Sequence, residues 1–242
     1  MGSVQVISLG GSIIAPDRVD VAFLRSFRKA LLEYLEADGE HRVILVCGGG
    51  GPAREYQGAY RAVLSEGGRS ETEQESKESR EILDWLGIAA TKLNAELLRF
   101  LFLPLCPERV VSDPTSLSVF PGRVLVASGW KPGCSTDYDA VLLAERFQAD
   151  TLINLSNVAR VYSADPKTHG DARPLEHLSW AELQGLVGRT WVPGANVPFD
   201  PVATEHAARI GLRVVVAAGR NIENFKKILN GEPFEGSTIG PE

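Results

Sequence analysis

Hydrophobic and polar positions along the chain form two alternating kinds of segment. Short apolar, β-branched runs predict buried strands at residues 4–9, 43–47, 110–111, 124–126, 151–155 and 213–217. Longer stretches with apolar residues at helical spacing predict amphipathic helices at residues 19–36, 52–64, 81–103, 137–147, 180–187, 200–210 and 222–229. This alternation predicts an α/β fold, a three-layer αβα sandwich with a central, largely parallel sheet.

Glycine-rich loops follow the first two predicted strands. They are Gly10-Gly11-Ser12 and the run Gly48–Gly51. Glycine lets backbone N–H groups approach phosphate oxygens without a Cβ in the way, and a following helix adds its positive end. Arg54, one turn into the next helix, can add charge-assisted hydrogen bonds. The loops therefore indicate a phosphate site, and the alternative is a pair of tight turns that only need positive φ angles.

Composition narrows the class of protein. With 242 residues, of which 44% are hydrophobic and 23% charged, the chain has the profile of a globular protein. Neither a repeat nor a clear linker interrupts it, so we predict one domain over residues 1–242. Its formal charge of −6 argues against a broad nucleic-acid-binding face and leaves room for a local cationic pocket.

Targeting signals and cysteines set the expected cellular compartment. No apolar run approaches the roughly 20 residues of a membrane span, and the N-terminus lacks the pattern of a signal peptide. The three cysteines are too few and too scattered for a disulfide framework or a four-ligand zinc site. We therefore expect a cytoplasmic protein with reduced thiols and no membrane partner.

A polar stretch at residues 65–81 interrupts the pattern of strands and helices. It carries glutamates at positions 66, 71, 73, 75, 78 and 81 against basic residues only at 69, 77 and 80. Such a stretch is typical of a mobile, solvated surface segment. The alternative is a lid over a substrate site.

Neither glycine loop completes a P-loop or a Rossmann fingerprint. A different series of motifs runs along nearly the whole chain: Leu9-Gly-Gly-Ser12, Gly48–Gly50 with Arg54, Asp84-Trp-Leu-Gly87 with Asn94, Pro132-Gly-Cys-Ser-Thr-Asp137, Ser156-Asn-Val158, Val161-Tyr-Ser-Ala-Asp-Pro166 and Gly236-Ser-Thr-Ile239. In order and spacing this series resembles the amino acid kinase superfamily, particularly uridylate kinases of the archaeal type.

The resemblance implies an activity and an assembly. The expected reaction is ATP-dependent phosphorylation of UMP to UDP by direct in-line transfer, without a covalent intermediate. Mg²⁺ would be bound mainly through ATP, and no protein metal ligand is assigned. The resemblance also implies a homo-oligomer, expected to be a hexamer, in which a lobe at about residues 1–150 binds the acceptor and a lobe at about 151–242 binds ATP.

The resemblance further implies roles for individual residues. The catalytic residues would be Asp137, Ser12 and Lys131. The ATP-binding residues would be Gly10, Gly11, Ser12, Gly50, Arg54, Ser156, Asn157, Tyr162 and Asp165. The UMP-binding residues would be Gly49, Asp84, Trp130, Lys131, Pro132, Gly133, Cys134, Ser135 and Thr136.

Ordinary structural roles compete with several of these assignments. Asp84 and Asp137, each near a predicted helix start, could serve as a cap or as a partner of the helix dipole. Ionised Asp137 cannot donate to a phosphate, so its task would be to orient donors or bind a cation. Tyr162 and Asp165 could belong to a plain hairpin and an Asp-Pro turn.

The chain also departs from the family pattern. Many members carry a lysine at the place of Ser8 and another within the segment at 194–201, which here is lysine-free. Lys131 is the nearest substitute for the missing charge, or else a solvated loop lysine. Ala159-Arg160 replaces the usual Asp-Gly, which restricts the turn and brings a cation near the expected ATP site.

These departures keep two other functions open. One is a related small-molecule kinase whose acceptor is a carboxylate, a carbamate or an isoprenoid phosphate. The other is a non-catalytic protein of the same fold that holds a nucleotide or an oxyanion.

Overall fold

The structure is a computed structural model that describes residues 4–65, 77–166, 168–190 and 197–241. Its strands are β1 (Val4–Leu9), β2 (Arg42–Cys47), β3 (Val124–Ala127), β4 (Thr151–Ser156), β5 (Val161–Tyr162), β6 (Pro174–Leu175), β7 (His177–Leu178), β8 (Arg213–Ala218) and β9 (Ser237–Ile239). Its helices are α1 (Gly11–Ile14), α2 (Val21–Ala37), α3 (Gly50–Ser65), α4 (Lys77–Leu101), α5 (Thr136–Arg146), α6 (Trp180–Val187), α7 (Pro201–Ile210) and α8 (Ile222–Leu229).

A seven-stranded sheet forms the middle layer, in the order β3-β2-β1-β4-β8-β9-β7. The first five strands of that order run parallel, whereas β9 is antiparallel to β8 and β7 is parallel to β9. A separate antiparallel hairpin joins β5 to β6. The predicted largely parallel sheet is confirmed. Because β2, β1 and β4 are neighbours, the loops that follow them share one edge of the sheet.

Two buried clusters cover the two faces of the sheet and make the three layers. One contains Phe27 of α2, Leu98 of α4 and Phe225 of α8. The other contains side chains of α5, α6 and α7. Strand β1 supplies both faces, since successive side chains of a strand alternate: Ile7 and Leu9 lie in the first cluster and Val6 in the second.

Local sequence explains how the helices around the site begin. Asp200 caps α7 by accepting from the Ala203 N–H at 2.7 Å, and Pro201 stands at the first helical position. Ser135 caps α5 by accepting from the Tyr138 N–H at 3.1 Å. Asp137 is therefore not the cap of α5 but lies in its first turn, so that structural alternative is wrong.

Some predicted elements differ from the structure. The predicted strand at 110–111 is wrong, because Val111 makes only an isolated bridge with Ala127. Helix α4 begins at Lys77 rather than at residue 81, so the end of the predicted polar excursion is helical. The rest of that excursion, residues 66–76, lies outside the described residues. Within the described ranges, no helix is long and apolar enough to cross a bilayer.

Candidate active site

The two glycine loops touch each other at the ends of β1 and β2. A Cβ on Gly11 would lie 2.0 Å from the Gly50 nitrogen, and one on Gly48 would lie 2.4 Å from the Gly11 nitrogen. Real Cβ atoms do not approach so closely, so neither position accepts a side chain without movement of the backbone. Gly50 also has φ of 66°. Close approach of two backbones, more than turn geometry alone, explains the glycines.

Backbone hydrogen bonds show which N–H groups of these loops are already bonded within the fold and which could bind a phosphate. The Gly10 N–H donates to Leu155 O at 2.9 Å, and the Gly48 N–H donates to Leu9 O at 3.0 Å. Gly11 and Ser12 open α1, where the first N–H groups have no carbonyl within the helix. Because the Gly10 N–H is already bonded to β4, it is not available for a phosphate. The predicted phosphate donors of the first loop are therefore the N–H groups of Gly11 and Ser12.

Arg54 ties the first loop to α3. Its Nη1 donates to Ser12 Oγ at 3.0 Å, and its Nη2 donates to Pro16 O at 2.9 Å. The side chain is exposed. The structure thus brings the predicted cation Arg54 to the hydroxyl of Ser12, at the mouth of the paired loops.

Helix α4 supports the second loop from behind. The buried Asn94 amide donates to Gly48 O at 2.8 Å and to Gly49 O at 3.2 Å. The Gln57 amide of α3 donates to Leu83 O of α4 at 2.8 Å. The Asn94 bonds therefore hold the carbonyls of the second loop against α4, and the Gln57 bond joins α3 to α4.

The loop at residues 129–136 is also bonded to α4. The Asp84 carboxylate accepts from the Gly133 N–H at 2.9 Å, and the Thr91 hydroxyl accepts from the Gly129 N–H at 2.8 Å. Gly133 has φ of 81°, a conformation that favours glycine. Asp84 therefore lies against the predicted acceptor loop, and its role in acceptor binding stays a prediction.

Lys131 rests on its neighbour Trp130. The ammonium lies 3.6 Å from the centre of the Trp130 ring, and Lys131 is exposed. The Trp130 N–H donates to Asp139 Oδ2 at 3.1 Å. The structure thus places the Lys131 ammonium on the Trp130 ring, and its catalytic role stays a prediction.

The remaining residues of the predicted acceptor loop are half-buried. They are Pro132, Cys134, Ser135 and Thr136. Burial raises the pKa of the Cys134 thiol, so this cysteine is a poor nucleophile. Thr136 is the first residue of α5 and Ser135 is its cap, which places the loop at a helix N-terminus.

Three carboxylates gather around the start of α5. Asp137 Oδ1 accepts from the Ser8 hydroxyl of β1 at 3.1 Å, and its Oδ2 accepts from the Asp200 N–H at 3.4 Å. Among the described residues, Asp139 Oδ1 and Asp200 Oδ2 are buried without a hydrogen-bond partner. The cluster is therefore only partly neutralised by hydrogen bonds.

The same cluster binds protons unusually tightly. Burial raises the pKa of Asp137 to about 6, against the effect of the Ser8 hydrogen bond and with the effect of the Asp200 charge. Burial raises the pKa of Asp139 to about 7, opposed by the Trp130 N–H and reinforced by the Asp137 charge. Burial also raises the pKa of Asp200. Such shifts are typical of functional sites and also of buried structural carboxyls.

The remaining predicted ATP-binding residues lie at and after the end of β4, beside the first glycine loop. Ser156 lies next to Gly10, since a Cβ on Gly10 would be 3.8 Å from the Ser156 Cα. Asn157 is exposed, and the backbone carbonyl of Asp165 accepts from His169 N at 2.8 Å in a turn.

Tyr162 lies in the β5–β6 hairpin and is half-buried. This hairpin is joined to β9 by the Val161 N–H, which donates to Ser237 Oγ at 2.8 Å.

Arg160, the cation that replaces the usual glycine, is paired with carboxylates. Its Nη1 donates to Glu176 Oε1 at 2.7 Å, and its Nε lies 3.9 Å from Glu235 Oε1. These contacts join the β5–β6 region to the segment before β9. In this structure the Arg160 guanidinium is paired with two carboxylates rather than unpaired.

Comparison with known proteins decides the family. Residues 3–218 match the amino acid kinase family. The chain belongs to this family. It is 37% identical over 238 residues to a uridylate kinase of Thermoplasma volcanium, covering 97% of this chain and 96% of that protein. It is 31% identical over 239 residues to a uridylate kinase of Pyrococcus abyssi, covering 98% of this chain and 99% of that one.

Solved structures agree with the fold. The crystal structure of a uridylate kinase from Archaeoglobus fulgidus matches with a TM-score of 0.79 and 34% identity, covering 99% of this chain and all 100% of that one. A UMP kinase from Bacillus anthracis matches with a TM-score of 0.72 at 20% identity, and this likeness shows the fold alone.

Sequence patterns miss several residues of the candidate site. Asp139 and Asp200 were assigned no role, although an Asp before a proline is a helix-start signal and Asp139 closely follows Asp137. Ser8 drew attention only as the place of a missing lysine. Its signal is a hydroxyl residue at the apolar end of β1, between Ile7 and Leu9, which demands a buried partner.

Proposed function

We propose that this chain is a uridylate kinase, a phosphotransferase that converts UMP and ATP to UDP and ADP. The observation that carries the proposal is the near-full-length similarity to uridylate kinases, at 37% and 31% identity, which spans both glycine loops and both halves of the sheet edge. The paired glycine loops and the acceptor loop bonded to Asp84 support it.

The chemistry asks little of the protein beyond positioning. A phosphate oxygen of UMP attacks the γ-phosphorus of ATP, a new P–O bond forms, and the bond to the β–γ bridging oxygen breaks to release ADP. The second pKa of a phosphate monoester is about 6, so the attacking oxygen is already anionic near neutral pH. No general base is needed, and the protein must align two anions and neutralise their charge.

We assign the residues of the chain to these tasks. Gly11 and Ser12 donate N–H groups toward the γ-phosphate, and Arg54 supplies positive charge beside Ser12. Gly49, Asp84 and the loop at 129–136 hold UMP, while Gly50 and the segment at 156–165 hold ATP. In this proposal the region at about 1–150 is the acceptor lobe and that at about 151–242 the donor lobe.

We expect Mg²⁺ to bind together with ATP. Within residues 4–65, 77–166, 168–190 and 197–241, no three acidic, histidine or cysteine side chains are arranged to hold a metal ion. We propose that Mg²⁺ binds mainly through ATP, where it would neutralise charge on the phosphates. The residue roles above do not depend on its position.

A homo-oligomer is the further expectation of the resemblance, and we propose a hexamer. Large apolar side chains on α3 and α4 are exposed, among them Tyr56 at 64%, Val63 at 71%, Leu93 at 68% and Phe100 at 60%. Contiguous exposed apolar surface is typical of interfaces. Because its nucleotide substrates are made and used inside cells, we also propose a cytoplasmic enzyme.

A coupled assay of ADP release tests the proposed activity. We expect Mg²⁺-dependent release with UMP and much slower release with CMP, AMP and GMP. Asp137→Asn should lower kcat by roughly a hundredfold or more, because orientation in the site contributes such factors, while the far-UV circular dichroism spectrum stays unchanged. Unchanged turnover of this variant would leave Asp137 a structural residue.

The same assay separates the competing functions. ADP release with a carboxylate, a carbamate or an isoprenoid phosphate but with no nucleotide would support the related small-molecule kinase. ATP binding without release of ADP for any acceptor would support the non-catalytic binding protein. Either result would contradict a uridylate kinase.

A further inference from the structure

Ser8 is a buried hydroxyl in an apolar strand. It is 3% exposed, and its neighbours Ile7 and Leu9 are fully buried. A buried hydroxyl is costly unless it is hydrogen-bonded. Because side chains alternate along β1, Ser8 shares the face of Val6, which packs in the cluster with α5 and α7. On that face its hydroxyl donates to Asp137 Oδ1 at 3.1 Å.

Through this bond Asp137 connects three parts of the site. Strand β1 leads directly into the first glycine loop, and α5, which carries Asp137, directly follows the acceptor loop. The second carboxylate oxygen accepts from the Asp200 N–H at the start of α7. The Asp137 carboxylate therefore links β1, α5 and the start of α7.

We infer that Ser8 is a positioning residue for phosphoryl transfer, whose hydroxyl orients the Asp137 carboxylate through their hydrogen bond. The role of Ser8 in turnover rests on the proposed function. The contact between Ser8 and Asp137 does not depend on that function. Ser8 acts through Asp137, and the bond holds α5 against the strand that carries the donor loop.

The charges around Asp137 make this hydrogen bond important. Among the described residues, the charged groups that act on the cluster are Asp139 of α5, Asp200 before α7, Lys131 and Asp113, of which the last two act on Asp139. Burial and the Asp200 carboxylate both favour a proton on Asp137. The Ser8 hydroxyl is the main opposing group, since a donated hydrogen bond stabilises the ionised form.

Other polar groups on the packed elements have partners elsewhere. Arg42 of β2 donates to Gly122 O at 2.9 Å, and His206 of α7 lies 2.7 Å from Glu145 Oε2. Asn154 of β4 donates to Pro198 O at 3.2 Å. Residues 191–196, which lie outside the described ranges, include no ionisable side chain. Loss of the Ser8 hydroxyl should therefore let Asp137 keep its proton to higher pH.

A carboxyl ¹³C NMR titration tests the contact without any substrate. The Asp137 resonance is assigned as the one lost in Asp137→Asn. In Ser8→Ala the titration midpoint should move up by about one pH unit, since a hydrogen bond to a charged group has that strength. Ser8→Thr keeps the hydroxyl and should titrate like the parent chain, and Ser26→Ala, on the exposed face of α2, should have no effect.

The pH dependence of turnover tests the role in the reaction. For Ser8→Ala, the acidic limb of kcat should move up by the same pH interval, with KM for ATP and UMP within about twofold of the parent values. Ser8→Thr should restore both. Thermal unfolding checks the fold, and Ser8→Cys, a weaker donor, gives a second variant if Ser8→Ala does not fold.

Two results would overturn the inference. An unmoved Asp137 titration in Ser8→Ala would show that the hydroxyl does not support the carboxylate. A moved titration with an unmoved acidic limb would show that the contact does not serve turnover. If the parent chain shows no UMP-dependent ADP release, the proposed function fails, and the NMR titration alone still decides the contact.

Discussion

At the scale of single residues, the candidate site combines the exposed cation Arg54 with a group of buried and half-buried carboxylates. Arg54 lies at the glycine loops, and Asp137, Asp139 and Asp200 lie beneath the acceptor loop. The cation and the carboxylates are tested by different measurements. Removing the cation should affect nucleotide binding, and removing a carboxylate should affect how stability depends on pH.

Arg54→Ala should weaken ATP binding by about ten- to a hundredfold, because charge-assisted hydrogen bonds to phosphate contribute roughly 1.5–3 kcal/mol. The variant also loses the bond to Ser12 Oγ, which holds the first loop. Isothermal titration calorimetry measures the change. Arg25→Ala, an exposed arginine on α2, is the matched control and should bind ATP like the parent chain. Equal affinities of the two variants would contradict the role of Arg54.

Asp139→Asn should become more stable relative to the parent chain as the pH rises from 5 to 8. The pKa of Asp139 is raised in the folded chain to about 7 from 3.8, so the folded chain binds this proton more tightly than the unfolded chain. The resulting stabilisation is complete below about pH 4 and is lost as the pH rises through about 7. Asparagine carries no such proton.

The expected gain for Asp139→Asn over this pH range is about 1–3 kcal/mol in the free energy of unfolding. Urea denaturation at several pH values measures it. Asp17→Asn, in an exposed loop, is the control and should differ little from the parent chain at any of these pH values. A constant difference between Asp139→Asn and the parent chain would show that Asp139 is not a buried, proton-binding carboxyl.

At the scale of elements, the paired glycine loops are the feature on which the site depends. Gly11→Ala places a methyl group 2.0 Å from the Gly50 nitrogen, so the loops must separate. We expect a loss of roughly 1–3 kcal/mol in the free energy of unfolding, as for other overpacked sites, and a large loss of kcat. Thermal unfolding and the coupled assay measure both.

Gly58→Ala is the matched control for the loop variant. Its added Cβ meets nothing within 4 Å, and Gly58 lies in α3. Alanine should stabilise the helix by about 0.5–1 kcal/mol and leave activity unchanged. If Gly11→Ala behaved like Gly58→Ala, the close contact between the loops would be absent in solution.

The five parallel strands could be predicted from the sequence because each is a mostly apolar run of four to six residues. The predicted bounds of β1 agree with those in the structure. Strands β5, β6 and β7 have two residues each and β9 has three, too short for any period to appear. Their pairing depends on contacts distant in sequence, as in the bond from Val161 to Ser237. The resemblance supplied motif residues, but contacts such as Ser8 with Asp137 needed the fold.

At the scale of the whole molecule, one sheet edge gathers both halves of the proposed site. The loops after β1 and β2 touch, and Ser156, which ends β4, lies beside Gly10. The loop at 129–136, which follows β3, is bonded to α4. We therefore propose that two nucleotides bind along this edge with their phosphates facing each other.

Calorimetry with a compound that joins adenosine and uridine 5′ to 5′ through five phosphates tests this arrangement most directly. We expect one site per chain, an affinity at least about tenfold above that for ATP because the two halves bind as one ligand, and competition with both ATP and UMP. Binding no tighter than that of ATP, or binding that leaves the affinity for UMP unchanged, would contradict a shared site.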